Sequence, residues 1–213
     1  MIDRAETKPS QFTTAIPALE IGSVLLFSGL TELEDRIRKT LQSFWTRSAV
    51  IVPGPHNAPV VLQGTSRPIA SDMIDGETRS GVQIVAVQDV FGSFAGTIAF
   101  RAIGPGISPH RKDSLARFAL ATRGVPFNMS PYYSLRAAHR RNREGDGRQY
   151  FCTELVAAAL QEIGVLVRPP AGRFASNYFP GDFAQESEDV CLSEGYELLD
   201  QFVLKCPIEV VAG

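Results

Sequence analysis

Between Phe151 and Val165 the chain reads FCTELVAAALQEIGV, and this segment restricts most strongly how the remainder can pack. Phe151, Leu155, Ala158/Ala159 and Glu162/Ile163 recur at helical spacing, Val156 and Leu160 widen the stripe, and Gly164 stops it. A helix with so broad an apolar surface is largely internal, with other elements packed around it. Cys152 stands in or just before its first turn. There the free backbone N–H groups and the positive end of the helix dipole favour a thiolate. That is the setting in which a cysteine becomes nucleophilic at neutral pH. Glu154 complements the same dipole but opposes a thiolate. Cysteine is equally a small apolar residue common in cores, and the local text leaves both readings open.

The elements available to surround this helix are mostly strands. VLLF (Val24–Phe27), SAVIV (Ser48–Val52), VVLQGT (Val60–Thr65), GVQIVAVQDV (Gly81–Val90) and GTIAFRAIG (Gly96–Gly104) read as strands, the second and third joined as a hairpin across PGPHNAP. Leu30, Leu33, Ile37, Leu41 and Phe44 predict an amphipathic helix with that stripe buried. Leu115, Phe118, Ala119 and Thr122 predict a second helix, and LRAAHRRNREGDGR a third, basic one. RPPAGRFASNYFPGDFAQ reads as an irregular loop and YELLDQFVLKCPIEVV as a last strand. Strands and a helix first, then helices, give an α+β fold with a mostly antiparallel sheet. The expected organisation is a polar tail over residues 1–14 and a single domain over 15–213.

Composition excludes several classes. A net charge of −2 in 213 residues gives no general attraction to nucleic acid or membranes. The polar opening MIDRAETKPSQFTT predicts no secretory signal, and no apolar run is long enough to span a bilayer. Three cysteines (Cys152, Cys191, Cys206) are too few for a disulfide framework. A Cys191–Cys206 bridge is open, but reduced thiols and a cytoplasmic location are expected. No histidine or carboxylate spacing suggests a metal site, and no cofactor is expected. Arg136, Arg140, Arg141, Arg143 and Arg148 form either a solvated face or an anion patch. Glu144 and Asp146 interrupt them and no aromatic residues interleave, which argues against nucleic acid.

The order LEIGSVLLFSG, SFWTRSAVIVPG, VVLQGT, GVQIVAV, RGVPFN, YFCTELVAAALQEIGVL and YFPGDFAQ resembles the circularly permuted papain-like cysteine amidases, the YiiX/YaeF-like branch of the NlpC-type superfamily. The likeness runs from about Ile16 to Gln185, and the cysteine segment is its most specific part. It implies a permuted papain-like fold: a small antiparallel β-barrel or curved sheet against which the helix starting at Cys152 packs. It also implies that Cys152 is the nucleophile position and that its histidine lies on an earlier strand.

Two positions depart from that pattern. Ser48 stands where the resemblance places the catalytic histidine, and Gln63 where it places the glutamate that orients the imidazole. A serine hydroxyl is too weak a base at neutral pH to take the thiol proton. Of the three histidines, His56 lies several residues beyond the strand in a turn, His110 begins a helix, and His139 sits among arginines. None is placed by the sequence near Cys152. Trp45, Tyr132, Tyr133, Tyr178 and Phe179 are either core residues or the walls of a groove. The residues expected to bind are Trp45, Tyr150, Tyr178 and Arg140. The expected function is a degenerate cysteine-hydrolase homologue that holds a small-molecule, peptide or lipid-like acyl ligand. The alternative is an active thiol amidase, esterase or acyltransferase.

Overall fold

The apolar runs in the first half are continuous rather than alternating because both faces of their sheet are covered. The computed structural model describes residues 19–67, 70–128 and 145–205. Six strands form one antiparallel sheet: β1 (Val24–Gly29), β2 (Arg47–Pro53), β3 (Pro59–Thr65), β4 (Gly81–Ala86), β5 (Gly96–Arg101) and β8 (Phe202–Lys205). Their spatial order is β4-β3-β2-β1-β5-β8, while β6 (Ile103–Gly104) and β7 (Glu197–Leu198) pair separately. Register is set by Val24 opposite Val50, Val50 opposite Leu62, and Leu62 opposite Ile84. These four residues share one face. Leu25, Ala49, Ile51, Val61 and Val85 occupy the other.

The first face packs on α4 (Cys152–Glu162) and α3 (Pro109–Thr122). Leu155, Val156, Ala157, Ala159 and Leu160 are all buried there. Burying each of the larger ones contributes about 1.5–3 kcal/mol. Gly164, at φ 67°, turns the chain out of α4 in a conformation that favours glycine. The second face is covered by α2 (Val87–Ser93) through Val87, Val90 and Phe91, with Phe94 edge-on to Phe27.

The sheet is open, which corrects the barrel form of the expectation. Closure would need β4 and β8 to pair, yet they lie at opposite edges. The outer edge of β4 is already occupied. Val82 donates to Val125 O and accepts from Gly124 N. Ile84 donates to Asp72 and accepts from Met73 N. Covering an edge in this way satisfies its backbone without another strand. Buried Asp72 is held in turn by Arg123 Nε at 2.8 Å.

Three element boundaries also differ from the sequence reading. The strand expected through Val90 ends at Ala86, because Val87, Val90 and Phe91 follow helical spacing onto the core. The strand expected over Gly96–Gly104 divides into β5 and β6. The last strand is interrupted between β7 and β8, where Arg101 donates to the carbonyls of Leu198 (2.6 Å) and Leu199 (2.8 Å). The tail, the basic helix with His139 and Arg140, Tyr132, Tyr133 and Cys206 lie outside the described residues.

The helix α1 (Glu32–Leu41) buries only part of its expected stripe: Ile37 and Leu41 are half-buried, on the same side as Glu34. Leu30 and Leu33 are 58% and 51% exposed, whereas Glu34 is buried. Its carboxylate receives Arg47 Nε at 3.0 Å and Nη2 at 2.9 Å, Thr46 Oγ1 at 3.4 Å and Thr31 Oγ1 at 3.2 Å. A charge taken out of water needs such partners, and they override the apolar stripe. Replacing Glu34 by glutamine should therefore cost about 1.5–3 kcal/mol in urea unfolding. Leu33→Ala should stay within about 0.5 kcal/mol. Equal losses would mean that α1 docks through its leucines instead.

Candidate functional site

The start of α4 is positioned by what precedes it. Tyr150 N donates to Pro126 O (3.1 Å) and Asn128 N to Tyr150 O (3.0 Å), a short parallel bridge that delivers the chain to the helix. Phe151 is the N-cap, and its N–H donates to Glu154 Oε2 at 3.3 Å. The first turn then lies across β2 and β3. The Cys152 Cα sits over Gly64, where an added Cβ would be 3.7 Å away, an ordinary contact. The β2–β3 ladder pairs Pro53–Pro59 through Val50–Leu62, so Ser48 and Gly64 lie beyond its last pair.

Ser48 shares the face of β2 that carries Val50 and Val52, the face turned to α4. Its hydroxyl donates to Thr153 Oγ1 at 3.1 Å, and Thr153 Oγ1 lies 3.8 Å from Cys152 Sγ. Cys152, Ser48 and Thr153 are all buried, the thiol residue 2% exposed. Burial pushes the Cys152 thiol up, against the opposing pull of the Ser48 backbone amide, the Thr153 hydroxyl and amide, and the Arg47 charge. The activation expected from the helix start is thus overcome by desolvation, which penalises the charged form.

The side-chain hydrogen bond of Gln63 goes elsewhere than to this cluster. Alternation along β3 turns Leu62 and Gly64 towards α4 and sends Val61 and Gln63 to the other face. There Gln63 Nε2 donates to Gln83 Oε1 at 3.5 Å, and Gln63 borders a 10 Å3 cavity that it shares with Ser48, Gly64, Thr65, Phe27, Arg47 and Phe94. That volume is at the lower limit for one water molecule.

His56 lies in an exposed turn at the far end of β2, and His110 is exposed in the first turn of α3. Pro53 alone is roughly 16 Å along the strand from Ser48. Among the described residues, no group of three or more His, Cys, Asp or Glu side chains is placed to hold a metal ion. None of the helices among them is long and apolar enough to cross a membrane.

The residues expected to bind a ligand separate. Tyr178 is 1% exposed, stacked on Phe183 at 5.6 Å with its hydroxyl pushed up to about 12 by burial, so it belongs to the core. Tyr150 is half-buried in the lead to α4. Trp45 is buried but presents an edge to an open groove of 1120 Å3, shared with Phe44, Phe179, Glu186 and Glu188. Cys152, Ser48 and Thr153 do not line it. Trp45 and Phe179, two residues the sequence offers as groove walls, do line it, whereas its acidic wall was not legible, because the lining comes from residues 40–45, Thr97 of β5, the 179–189 segment and residues 201–203.

From the sequence, Glu154 is a dipole partner that opposes a thiolate, and the structure adds its burial. It is buried against Gly145, and desolvation, assisted by Asp146, raises its carboxyl to about 7.

No family model matches the chain, and no curated protein matches it. Among solved structures it is similar to the crystal structure of the metalloprotein YiiX from Escherichia coli O157:H7. That match has a TM-score of 0.48 and 14% identity, and covers 68% of this chain and 66% of that one.

Two measurements probe the start of α4. Thr153→Val and Ser48→Ala, combined in a double-mutant cycle, should show a coupling of about 1 kcal/mol; strict additivity would exclude the hydroxyl bond. The folded-state pKa of Glu154 lies above its ordinary value of 4.5. Its protonated form therefore favours folding, fully below about 4.5 and decreasingly as pH rises through about 7. Thermal unfolding should show stability falling across that window, and Glu154→Gln should flatten the fall.

Proposed function

We propose that this chain is a catalytically degenerate relative of the permuted papain-like cysteine hydrolases. In this reading it holds a small-molecule, peptide or lipid-like acyl ligand instead of cleaving it. One observation carries the reading: the position beside Cys152 that would need an imidazole holds Ser48, whose hydroxyl is directed to Thr153. A thiol hydrolase needs a base within hydrogen-bond reach to take the thiol proton and return it to the leaving group. Serine provides neither step at neutral pH. Cys152 is also buried, which hinders the approach of a carbonyl carbon, and burial pushes its thiol up, which disfavours the thiolate. The hydroxyl chain Ser48–Thr153–Cys152 is then a packing device at the helix start. Ligand binding is assigned to the groove that Trp45 borders.

Alkylation of the folded protein, followed at each cysteine by peptide mass spectrometry across neutral and alkaline pH, tests the reading. Cys152 should react far more slowly than in the unfolded chain, with an apparent pKa above that of an ordinary thiol. Thioester and amide model substrates should turn over no faster than with Cys152→Ala. Rapid labelling with a depressed pKa, or turnover that Cys152→Ala abolishes, would overturn degeneracy and restore the active-enzyme alternative.

A further inference from the structure

The groove bordered by Trp45 has walls of two kinds. Leu41, Phe44, Trp45 and Phe179 supply apolar and aromatic surface, and Phe44 is 56% exposed, set edge-on to Trp45 at 4.9 Å. Glu186 and Glu188 supply charge; both are exposed, and neither forms a salt bridge among the described residues. No lysine or arginine lies among the described lining residues. At 1120 Å3 the groove exceeds the roughly 300–1,000 Å3 of small-molecule pockets.

The same wall already shows how it receives a guanidinium. Arg173 of this chain reaches Asp182 at 3.1 Å and Asp189 at 3.0 Å, and stands 5.3 Å over the Tyr178 ring. Two carboxylates and an aromatic face form that receptor. Glu186, Glu188 and Phe44, which line the groove and are exposed, are groups of the same kinds. Paired carboxylates recognise the planar donors of arginine, and an aromatic face attracts a cation set over it.

We propose that this groove binds an extended arginine-containing peptide segment of a partner protein, its guanidinium groups set against Glu186 and Glu188 and its apolar stem against Phe44. The assignment rests on the binding reading given above but not on the state of Cys152.

Fluorescence anisotropy with a labelled hexa-arginine peptide at low salt tests it, with hexa-glutamate as the control peptide. Glu186→Lys combined with Glu188→Lys should weaken binding about tenfold or more, equivalent to about 1.4 kcal/mol. Phe44→Ala should weaken it about threefold. These side chains are exposed, and circular dichroism checks that the variants stay folded. Glu77→Lys, on the far loop beside Arg79, should leave binding unchanged. Free arginine amide should compete far less well than unlabelled hexa-arginine. The assignment is overturned by absent binding, by equal loss in Glu77→Lys, by retained affinity in the double reversal, or by competition from arginine amide equal to that of the peptide. Cys152→Ala should bind as the parent does. Cleavage of the bound peptide by the parent alone would end the degenerate reading while leaving the groove assignment intact.

Discussion

Burial on both faces of the six-stranded sheet is the constraint on which the rest depends. A strand covered on one side only can carry polar residues at every second position. Here β1 and β2 have apolar side chains on both faces, and two separate clusters result. One needs α4 and α3, the other α2 and Phe94. Every connection that reaches the sheet must then satisfy its own backbone close to a dry surface. The polar latches arise from that need. Asp72 covers the edge of β4, Arg101 ties β5 to the end of β7 and the residue after it, and Glu34 anchors α1 through Arg47. Each is a buried or half-buried charge with partners, and none belongs to the start of α4.

The same burial decides the chemistry of Cys152. A helix start placed at a surface cleft lends its dipole and amides to a thiolate. Pressed onto β2 and β3, with Ser48 and Thr153 closing around it, the same helix start supplies those groups in a place where charge is penalised. Desolvation prevails over four smaller favourable influences. Glu154 responds in the same direction one turn-edge away, its carboxyl raised by the same loss of water. The start of α4 is thus a region that favours neutral groups, whatever its ancestry.

Much of the fold was legible because its signals are local. Continuous apolar runs marked β1, β2 and β3, and the broad stripe of 151–165 marked α4 as internal. The clearest departure was α1, where Leu30 and Leu33 of the expected stripe stay exposed and Glu34 turns inward beside half-buried Ile37 and Leu41. Pattern reading cannot anticipate that Arg47, thirteen residues away, will meet that carboxylate. Gln63 illustrates a finer difficulty. Its strand was identified, but the face it uses depends on the phase of alternation, and Gly64 carries no side chain to mark it.

What the sequence determined by itself is the set of elements and their class. Strand runs, helical spacing and turn residues act over a few neighbours, so an α+β chain with an internal cysteine helix was readable at once. Only the tertiary structure decided that the sheet stays open, that Ser48 meets Thr153 across 105 residues, and that Cys152 is sealed. It alone assembled the acidic, aromatic groove from four segments distant in sequence. Those outcomes depend on register and on which edges are already satisfied. Both are fixed by contacts between parts of the chain whose separation in sequence carries no signal.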